Sequence, residues 1–122
     1  MALVAPVIKD ISKEGSVQLV TWTLTTADHT GVGIEATPWA DRSVMVQSVA
    51  YGSSTTGLEG SNDGSVWVAL ADPQGTAISK TADSVEAILE LTRYMRPRLT
   101  VVGTAATVTV SMLLRRMQPH RT

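Results

Sequence analysis

The chain has 122 residues, a net charge of −1 and no cysteine, and 43% of its residues are hydrophobic while 17% are charged. This length fits one domain, and the composition is too apolar for a disordered chain. Without cysteine there are no disulfides, thiolate metal ligands or thiol nucleophiles. No apolar run approaches the roughly 20 residues that span a bilayer, and the N-terminus lacks the basic and long apolar regions of a secretory signal.

The composition favours strands over helices. Thr occurs 16 times and Val 15 times, together a quarter of the chain, and both are β-branched residues that suit a pleated, half-buried surface. Nine Gly and five Pro supply frequent turns. We therefore predict an all-β fold, a single antiparallel β-sandwich of a jelly-roll-like kind in residues 17–114, with an N-terminal arm at 1–16 and a basic C-terminal tail at 115–122.

The first 16 residues are predicted to form an extended arm. The segment is apolar from Met1 to Ile8, and Pro6 argues against a central strand or a helix interior. Such an arm either docks along a sheet edge or reaches a neighbouring subunit. Its apolar side chains are candidate partner-binding residues: Leu3, Val4, Val7 and Ile8.

The first predicted strand covers residues 17–25. Val17 and Leu19 share one parity while Val20, Trp22 and Leu24 share the other, a phase change that predicts a bulge in mid-strand. A loop follows at residues 26–40, with a possible short strand at 32–36, and a second long strand is predicted at 43–50.

Turn residues divide the middle of the chain into short strands. A turn at 52–57 precedes a short strand at 58–61, and Ser61-Asn62-Asp63-Gly64-Ser65 is the sharpest turn signal because Asn, Asp and Gly tolerate left-handed backbone. Its flanks, 58–61 and 66–70, predict the two arms of a hairpin. A second turn at 72–75 and a short strand at 77–80 follow.

The last third of the chain contains one ambiguous segment and two predicted strands. Residues 84–91 alternate as a strand does, yet Asp83 and Glu86 also have the spacing of a helix capping box, and we favour the strand. A strand at 94–102 contains Pro97, which indicates an edge or a bulge. After a turn at 103–105, residues 107–114 alternate cleanly, with Val108, Val110, Met112 and Leu114 on one face.

Charge is distributed unevenly along the chain. Residues 1–92 hold all 11 acidic residues and four basic ones, and residues 93–122 hold six arginines and no acid. The arginines either pair with acidic strands of the same fold, meet an acidic partner surface, usually a protein, or contact nucleic acid. Direct nucleic-acid binding is not expected, since only Tyr94 lies among them. The candidate partner-binding arginines are Arg93, Arg96, Arg98, Arg115, Arg116 and Arg121.

Motifs of catalysis and cofactor binding are missing from the sequence. There is no dinucleotide or phosphate loop and no nucleophile elbow. His29 beside Asp28 is expected to be a solvated loop pair, and Asn62-Asp63 lacks the downstream carboxylates of a calcium loop. Glu86 and Glu90 show no sign of a shared cleft. We expect no catalytic, cofactor or metal site and no enzyme activity, and Trp22, Trp39 and Trp67 are expected to pack in the core or at its rim.

Two blocks of the chain resemble a known class of proteins. Residues 58–67 resemble a turn-then-Trp block of small tailed-phage structural proteins, and residues 94–100, Gly103-Thr104 and the strand ending in Leu114-Arg115-Arg116 resemble their C-terminal half. The class is the phage capsid decoration, or cement, proteins with a β-sandwich or jelly-roll fold. The two blocks cover about a third of the chain. Similar turns occur in discoidin-like carbohydrate-binding sandwiches.

The resemblance implies a virion structural protein that binds and stabilises the shell of the major capsid protein. It implies assembly in a bacterial cytoplasm, a place on the capsid exterior beside neighbouring copies or as a homo-oligomer, and no cofactor, membrane or direct nucleic-acid contact. Two other functions stay open. A carbohydrate-binding module would expose Trp39 or Trp67 in a shallow site, and another head or tail component would assemble as a ring.

Overall fold

A computed structural model describes residues 1–116, and these form two β-sheets packed face to face. The predicted all-β sandwich is therefore confirmed. No membrane-spanning helix exists within this range. The strands in chain order are β1 (Leu3–Val4), β2 (Val7–Asp10), β3 (Val17–Thr25), β4 (Thr30–Gly31), β5 (Ile34–Glu35), β6 (Asp41–Ala50), β7 (Thr55–Ser61), β8 (Val68–Ala69), β9 (Ser79–Lys80), β10 (Ser84–Ala87), β11 (Tyr94–Val101) and β12 (Thr107–Arg115).

The strands divide between a seven-stranded and a five-stranded sheet. The seven-stranded sheet has the order β1-β4-β11-β7-β8, with β5 also on β11 and β9 also on β7. The five-stranded sheet has the order β10-β6-β12-β3-β2. All pairs of named strands are antiparallel except β1 with β4. The N-terminal segment thus contributes an edge strand to each sheet.

The core lies between the sheets and is built from alternating residues. On β12, the four apolar residues Val108, Val110, Met112 and Leu114 are each 0% exposed, as the alternation predicted. They face Leu58, Met95 and Leu99 of the opposite sheet in one buried cluster, together with Trp22 of β3. Full burial of each large apolar side chain is worth about 1.5–3 kcal/mol, so this central strand anchors the fold.

The predicted bulge in residues 17–25 is wrong. β3 pairs with β12 in one unbroken register from Val17 opposite Arg115 to Thr25 opposite Thr107. Val20, Trp22 and Leu24 point into the core, and Leu19 points outward. The change of parity at Leu19 therefore marks an apolar side chain on the outer face of the sheet, and no extra residue is inserted in the strand. The register shifts lie elsewhere, between Leu99 and Val101 and between Thr107 and Thr109.

Pro97 lies in the regular part of a central strand, and neither the predicted edge nor a bulge occurs at this residue. β11 pairs with β7 on one side, where Pro97 is opposite Leu58, and with β4 and β5 on the other. Leu99 donates its backbone N–H on the second side, to His29. Backbone N–H groups alternate between the two sides of a strand, so the backbone nitrogen of Pro97, two residues earlier, points to the same side as that of Leu99. By the pairing of Arg98 with Thr30, Pro97 falls opposite Gly31, the last residue of β4, so the N–H that proline lacks is missing only at the end of the β4–β11 ladder.

The turn at Ser61–Ser65 is confirmed, whereas the turn predicted at 52–57 is shorter because β7 already begins at Thr55, and the segment predicted as a strand at 84–91 is a strand only over its first half. β7 and β8 form the predicted hairpin around the Ser61–Ser65 turn. In that turn the Asp63 carboxylate accepts hydrogen bonds from the N–H groups of Ser65 at 2.8 Å and Val66 at 2.9 Å, which lower the pKa of Asp63 below its ordinary value. Ser84–Ala87 is a strand that pairs with β6.

Candidate functional site

The N-terminal arm docks on the edges of its own sandwich. The Ala2 N–H donates to the Asp28 carboxylate at 2.9 Å, and Val4 accepts from the Val32 N–H at 2.8 Å. After the crossover at Pro6, β2 pairs with β3 over four residues. The arm is therefore held largely by backbone hydrogen bonds, and of the two arrangements left open by the sequence the structure has the first, docking along a sheet edge.

The four predicted partner-binding residues of the arm do not share one surface. Leu3, opposite Thr30, belongs to the outer face of the seven-stranded sheet, whereas Val7, opposite Thr21, belongs to the outer face of the other. Val4 and Ile8 turn to the space between the sheets. Leu3, Val7 and Ile8 nevertheless keep 53%, 70% and 55% of their surface exposed. The arm therefore presents apolar groups in several directions.

Two predicted arginines share one carboxylate on the outer face of the seven-stranded sheet. Arg96 Nε donates to Glu59 Oε1 at 3.0 Å, and Arg98 Nη1 donates to Glu59 Oε2 at 3.2 Å. The Arg96 guanidinium also lies over the Trp67 ring, 4.1 Å from its centroid. A desolvated cation over an indole is attracted by the ring quadrupole. This surface is an internally paired ionic network, in which one carboxylate serves two cations.

Arg93 and Arg115 also pair within the chain, but at separate places. Arg93 lies 3.4 Å from Glu35 and over the Tyr94 ring. Arg115 pairs with Asp41 at 2.6 Å on the outer face of the five-stranded sheet. Arg116 covers the ring of Trp39 at 5.1 Å from its centroid, and Arg121 lies outside the described residues. The structure therefore favours internal charge compensation, and the basic segment does not form one continuous patch.

A further arginine, Arg42, is buried at one end of the sandwich. Its guanidinium donates to three backbone carbonyls, those of Ala36 at 2.7 Å, Trp39 at 2.8 Å and Thr92 at 3.3 Å. Burial lowers the pKa of Arg42 from its ordinary value. The side chain thus ties two loops together, a structural task that the sequence pattern did not reveal.

The outer face of the five-stranded sheet is unusually apolar. Its residues lie in two rows that cross all five strands, and we call these ten residues the apolar face. The first row is Val7, Thr21, Ser111, Met45 and Val85, and the second is Lys9, Leu19, Leu113, Ser43 and Ala87. Lys9 is the only charged residue among them. An outer sheet face that meets only water is normally polar.

The apolar face is exposed at its margins and uneven in its middle, where an exposed leucine stands beside a buried serine. Val7 and Val85, at opposite edges, are 70% and 63% exposed, and Leu113 on the central strand is 48% exposed, whereas Ser111 is 7% exposed. Two adjoining depressions of about 550 and 250 Å³ share Ser43 and Leu113. An exposed apolar patch of this kind marks an interaction site more often than an ordinary surface does.

Sequence reasoning missed this face although its signal was present. The parity of Leu19 marked an outward apolar side chain, but we interpreted it as a bulge. Leu113 lies next to Leu114 in the predicted strand, and only the register shows that Leu113 and Leu19 are directly opposite each other. Met45 and Val85 join them through pairings that no local pattern specifies.

The tryptophans do not form the platform that a carbohydrate-binding module needs. Trp22 is 0% exposed and Trp39 is 5% exposed, so both belong to the core. Trp67 is partly buried between the Arg96 guanidinium and the backbone of Gly33, where a Cβ atom would approach its ring to 2.6 Å. The exposed Trp39 that a carbohydrate-binding module would need is therefore absent, and Trp67 has a neighbour over its ring, as expected for tryptophans in the core or at its rim.

The acidic candidates Glu86 and Glu90 occupy structural positions. Glu86 pairs with Lys80 at 3.0 Å, and Glu90 accepts the Ala71 N–H at 2.7 Å. In the part of the chain that the structure describes, no three His, Asp or Glu side chains lie close enough to hold a metal ion.

No family model matches this chain, and a search of curated proteins finds no significant sequence match.

Proposed function

We propose that this protein is a virion structural protein that decorates a capsid and stabilises the shell of its major capsid protein. The proposal begins from the resemblance of residues 58–67 and of the last strands to phage cement proteins. Such a protein needs a rigid sandwich with surfaces for other subunits, and the described fold is suited to that task.

The observation that carries the proposal is the exposed edge strand β2. One side of β2 pairs with β3, and within residues 1–116 no strand pairs with its other side. All four residues of β2 are exposed, Val7 and Ile8 by more than half. An unpaired edge is a template to which another chain adds a strand, with main-chain hydrogen bonds for affinity and side chains for specificity. A capsid protein segment is the partner we propose for it.

A second contact would come from the half-exposed arginines. The side chains of Arg93 and Arg98 are 52% and 44% exposed even though each has a carboxylate partner. Acidic loops of a capsid protein could share these donors, because a guanidinium has five N–H groups in a fixed fork. Each such contact is weak. Many copies on one shell would add up their weak contacts, and this sum is sufficient to stabilise a shell.

Co-sedimentation with purified shells of the major capsid protein from the same genome tests the proposal. We expect saturable binding at many copies per particle, and Ile8→Asp should lower occupancy at least tenfold by placing a charge on the docking edge. Val66→Asp is the matched control, because Val66 is 65% exposed but lies beside the Ser61–Ser65 turn. Undiminished binding of Ile8→Asp, or a ring of few copies at a vertex or tail in electron micrographs, would contradict it.

A further inference from the structure

We propose that the apolar face is a dimer interface, with a second copy of this chain as its occupant and the two five-stranded sheets packed face to face. This inference goes beyond attachment to a capsid, since it concerns the protein alone in solution. It rests on three properties of the face: its charge, its size and its shape.

The charge of the face suits a second copy. Apart from Lys9 at one corner, the ten residues carry no charge, so two copies meet without like charges at the centre. At one end Asp41 and Arg115 neutralise each other at 2.6 Å. An acidic partner would find only Lys9 as a counter-charge on the two rows, and a basic partner would find none. A neutral apolar surface is the complement that such a face requires, and a second copy presents one of the same size.

The size of the face fits a weak but specific dimer. Five strands about 4.8 Å apart span about 24 Å, and outward residues two positions apart on a strand are about 6.7 Å apart. Four such positions on β3, from Val17 to Thr23, take in the two rows of the apolar face and one flanking row on each side, and they give a footprint of roughly 500–600 Å² per copy. About 1,100 Å² in total lies just above the 1,000 Å² that a biological interface should reach. We therefore expect a dissociation constant in the micromolar range.

The shape of the face also fits. Two sheets pack face to face at about 10 Å when their side chains interdigitate. Here small side chains, Ser43 and Ala87, line the larger depression together with Leu113, and the Asp41–Arg115 pair lies at its end. A closed two-copy assembly uses the same patch on both copies, so its axis passes through the patch. β12 is the middle strand, and Leu113 of one copy therefore lies near Leu113 of the other.

Sedimentation velocity over a range of concentrations tests the proposal. Wild-type protein should shift from monomer to dimer between about 1 and 300 μM. Leu113→Asp and, independently, Val85→Asp should each weaken the dimer at least tenfold, because each buries a charge in the interface. Val101→Asp is the matched control, since Val101 is 54% exposed at the end of β11. Far-ultraviolet circular dichroism and melting curves establish that each variant is folded.

A cross-linking experiment gives a second readout. The chain has no cysteine, so Leu113→Cys introduces a single thiol. Under mild oxidation it should form a covalent dimer much faster than Val101→Cys does. A wild-type protein that stays monomeric at 300 μM, a dimer that both aspartate variants leave unchanged, or equal cross-linking of the two cysteine variants would overturn the proposal. Shell binding is measured separately through Ile8, so failure of one proposal is distinguishable from failure of the other.

Discussion

Glu59 and Arg96 lie directly opposite each other on β7 and β11, with 3.0 Å between carboxylate and guanidinium. The second oxygen of Glu59 accepts from Arg98, so one carboxylate serves two cations. The side chain of Glu59 is 11% exposed and that of Arg96 is 20% exposed, whereas that of Arg98 is 44% exposed. The stability of this network therefore depends on Glu59 more than on either arginine.

Glu59→Gln should lower the free energy of unfolding by about 2 kcal/mol, because it leaves Arg96 largely buried without a counter-charge. Arg98→Gln should cost less than about 1 kcal/mol, since solvent screens a half-exposed pair. Urea denaturation of both variants measures the difference. Equal costs for the two variants would show that the network is no more than a surface ion pair.

Thr56→Val should stabilise the protein. Thr56 is 1% exposed, and its hydroxyl has no hydrogen-bond partner among the described residues. Replacing the hydroxyl with a methyl of similar shape removes a desolvation cost of about 1 kcal/mol. Thr26→Val is the control, because Thr26 Oγ1 donates to the Gly103 carbonyl and accepts the Ala106 N–H, each at 2.8 Å. It should destabilise by about 1–2 kcal/mol, and a rise in melting temperature for Thr26→Val would contradict this reasoning.

Gly103→Ala should be among the most damaging single substitutions. A Cβ atom at Gly103 would overlap the backbone carbonyl of Gly52, which also accepts the Thr104 N–H at 3.0 Å. Neither backbone can yield without breaking the turn, so we expect a loss of at least about 3 kcal/mol. Gly15→Ala meets no atom within 4 Å but has φ +71°, and should cost only about 1–2 kcal/mol. Thermal unfolding compares the two, and a similar Tm for both would count against the steric argument.

The pair Tyr51–Asp83 predicts loss of stability at both extremes of pH. Burial, with help from the hydrogen bond to Asp83 at 2.6 Å and its charge, raises the pKa of Tyr51 to about 12. Its stabilising contribution is complete below the unfolded value near 10 and is lost as the pH rises towards 12. Hydrogen bonds from Tyr51 and the Ser48 N–H lower the pKa of Asp83, so its contribution is present above the ordinary carboxyl pKa and is lost as the pH falls below it.

Absorbance at 295 nm measures the tyrosine prediction directly. The titration of wild-type protein minus that of Tyr51→Phe isolates the Tyr51 phenolate. We expect its midpoint near pH 12, and a midpoint near pH 10 would refute the link to Asp83. Asp83→Asn should move the midpoint downward, because it removes the negative charge that opposes ionisation.

The sequence predicted the strands well because local patterns define them. β3 coincides with the predicted residues 17–25, and β12 extends one residue beyond the predicted 107–114. The turn around Asp63 could be predicted because Asn, Asp and Gly tolerate a left-handed backbone conformation. The bulge in β3 and the edge or bulge at Pro97 were wrong for one shared reason. Both features depend on what lies across the sheet, which no run of neighbouring residues encodes.

The candidate site was less predictable for the same reason. The arm residues and arginines were found by composition, but Leu3 and Val7 lie on opposite outer faces, and Arg96 and Arg115 lie on different sheets. The apolar face unites residues more than 60 positions apart, such as Leu19 and Leu113. Such a surface is created by strand register, and register is set by the whole fold.

The placement of the arm has a mechanical consequence. A load applied at Met1 would unzip β1 and then β2, since each is a short edge strand with pairing on one side. A load applied beyond Arg115 must instead shear β12 past both β3 and β6 at once, along ladders of eight or nine paired residues. The two ends of the chain therefore differ in tensile strength, and a fused cargo would be tethered more firmly at the C-terminal end.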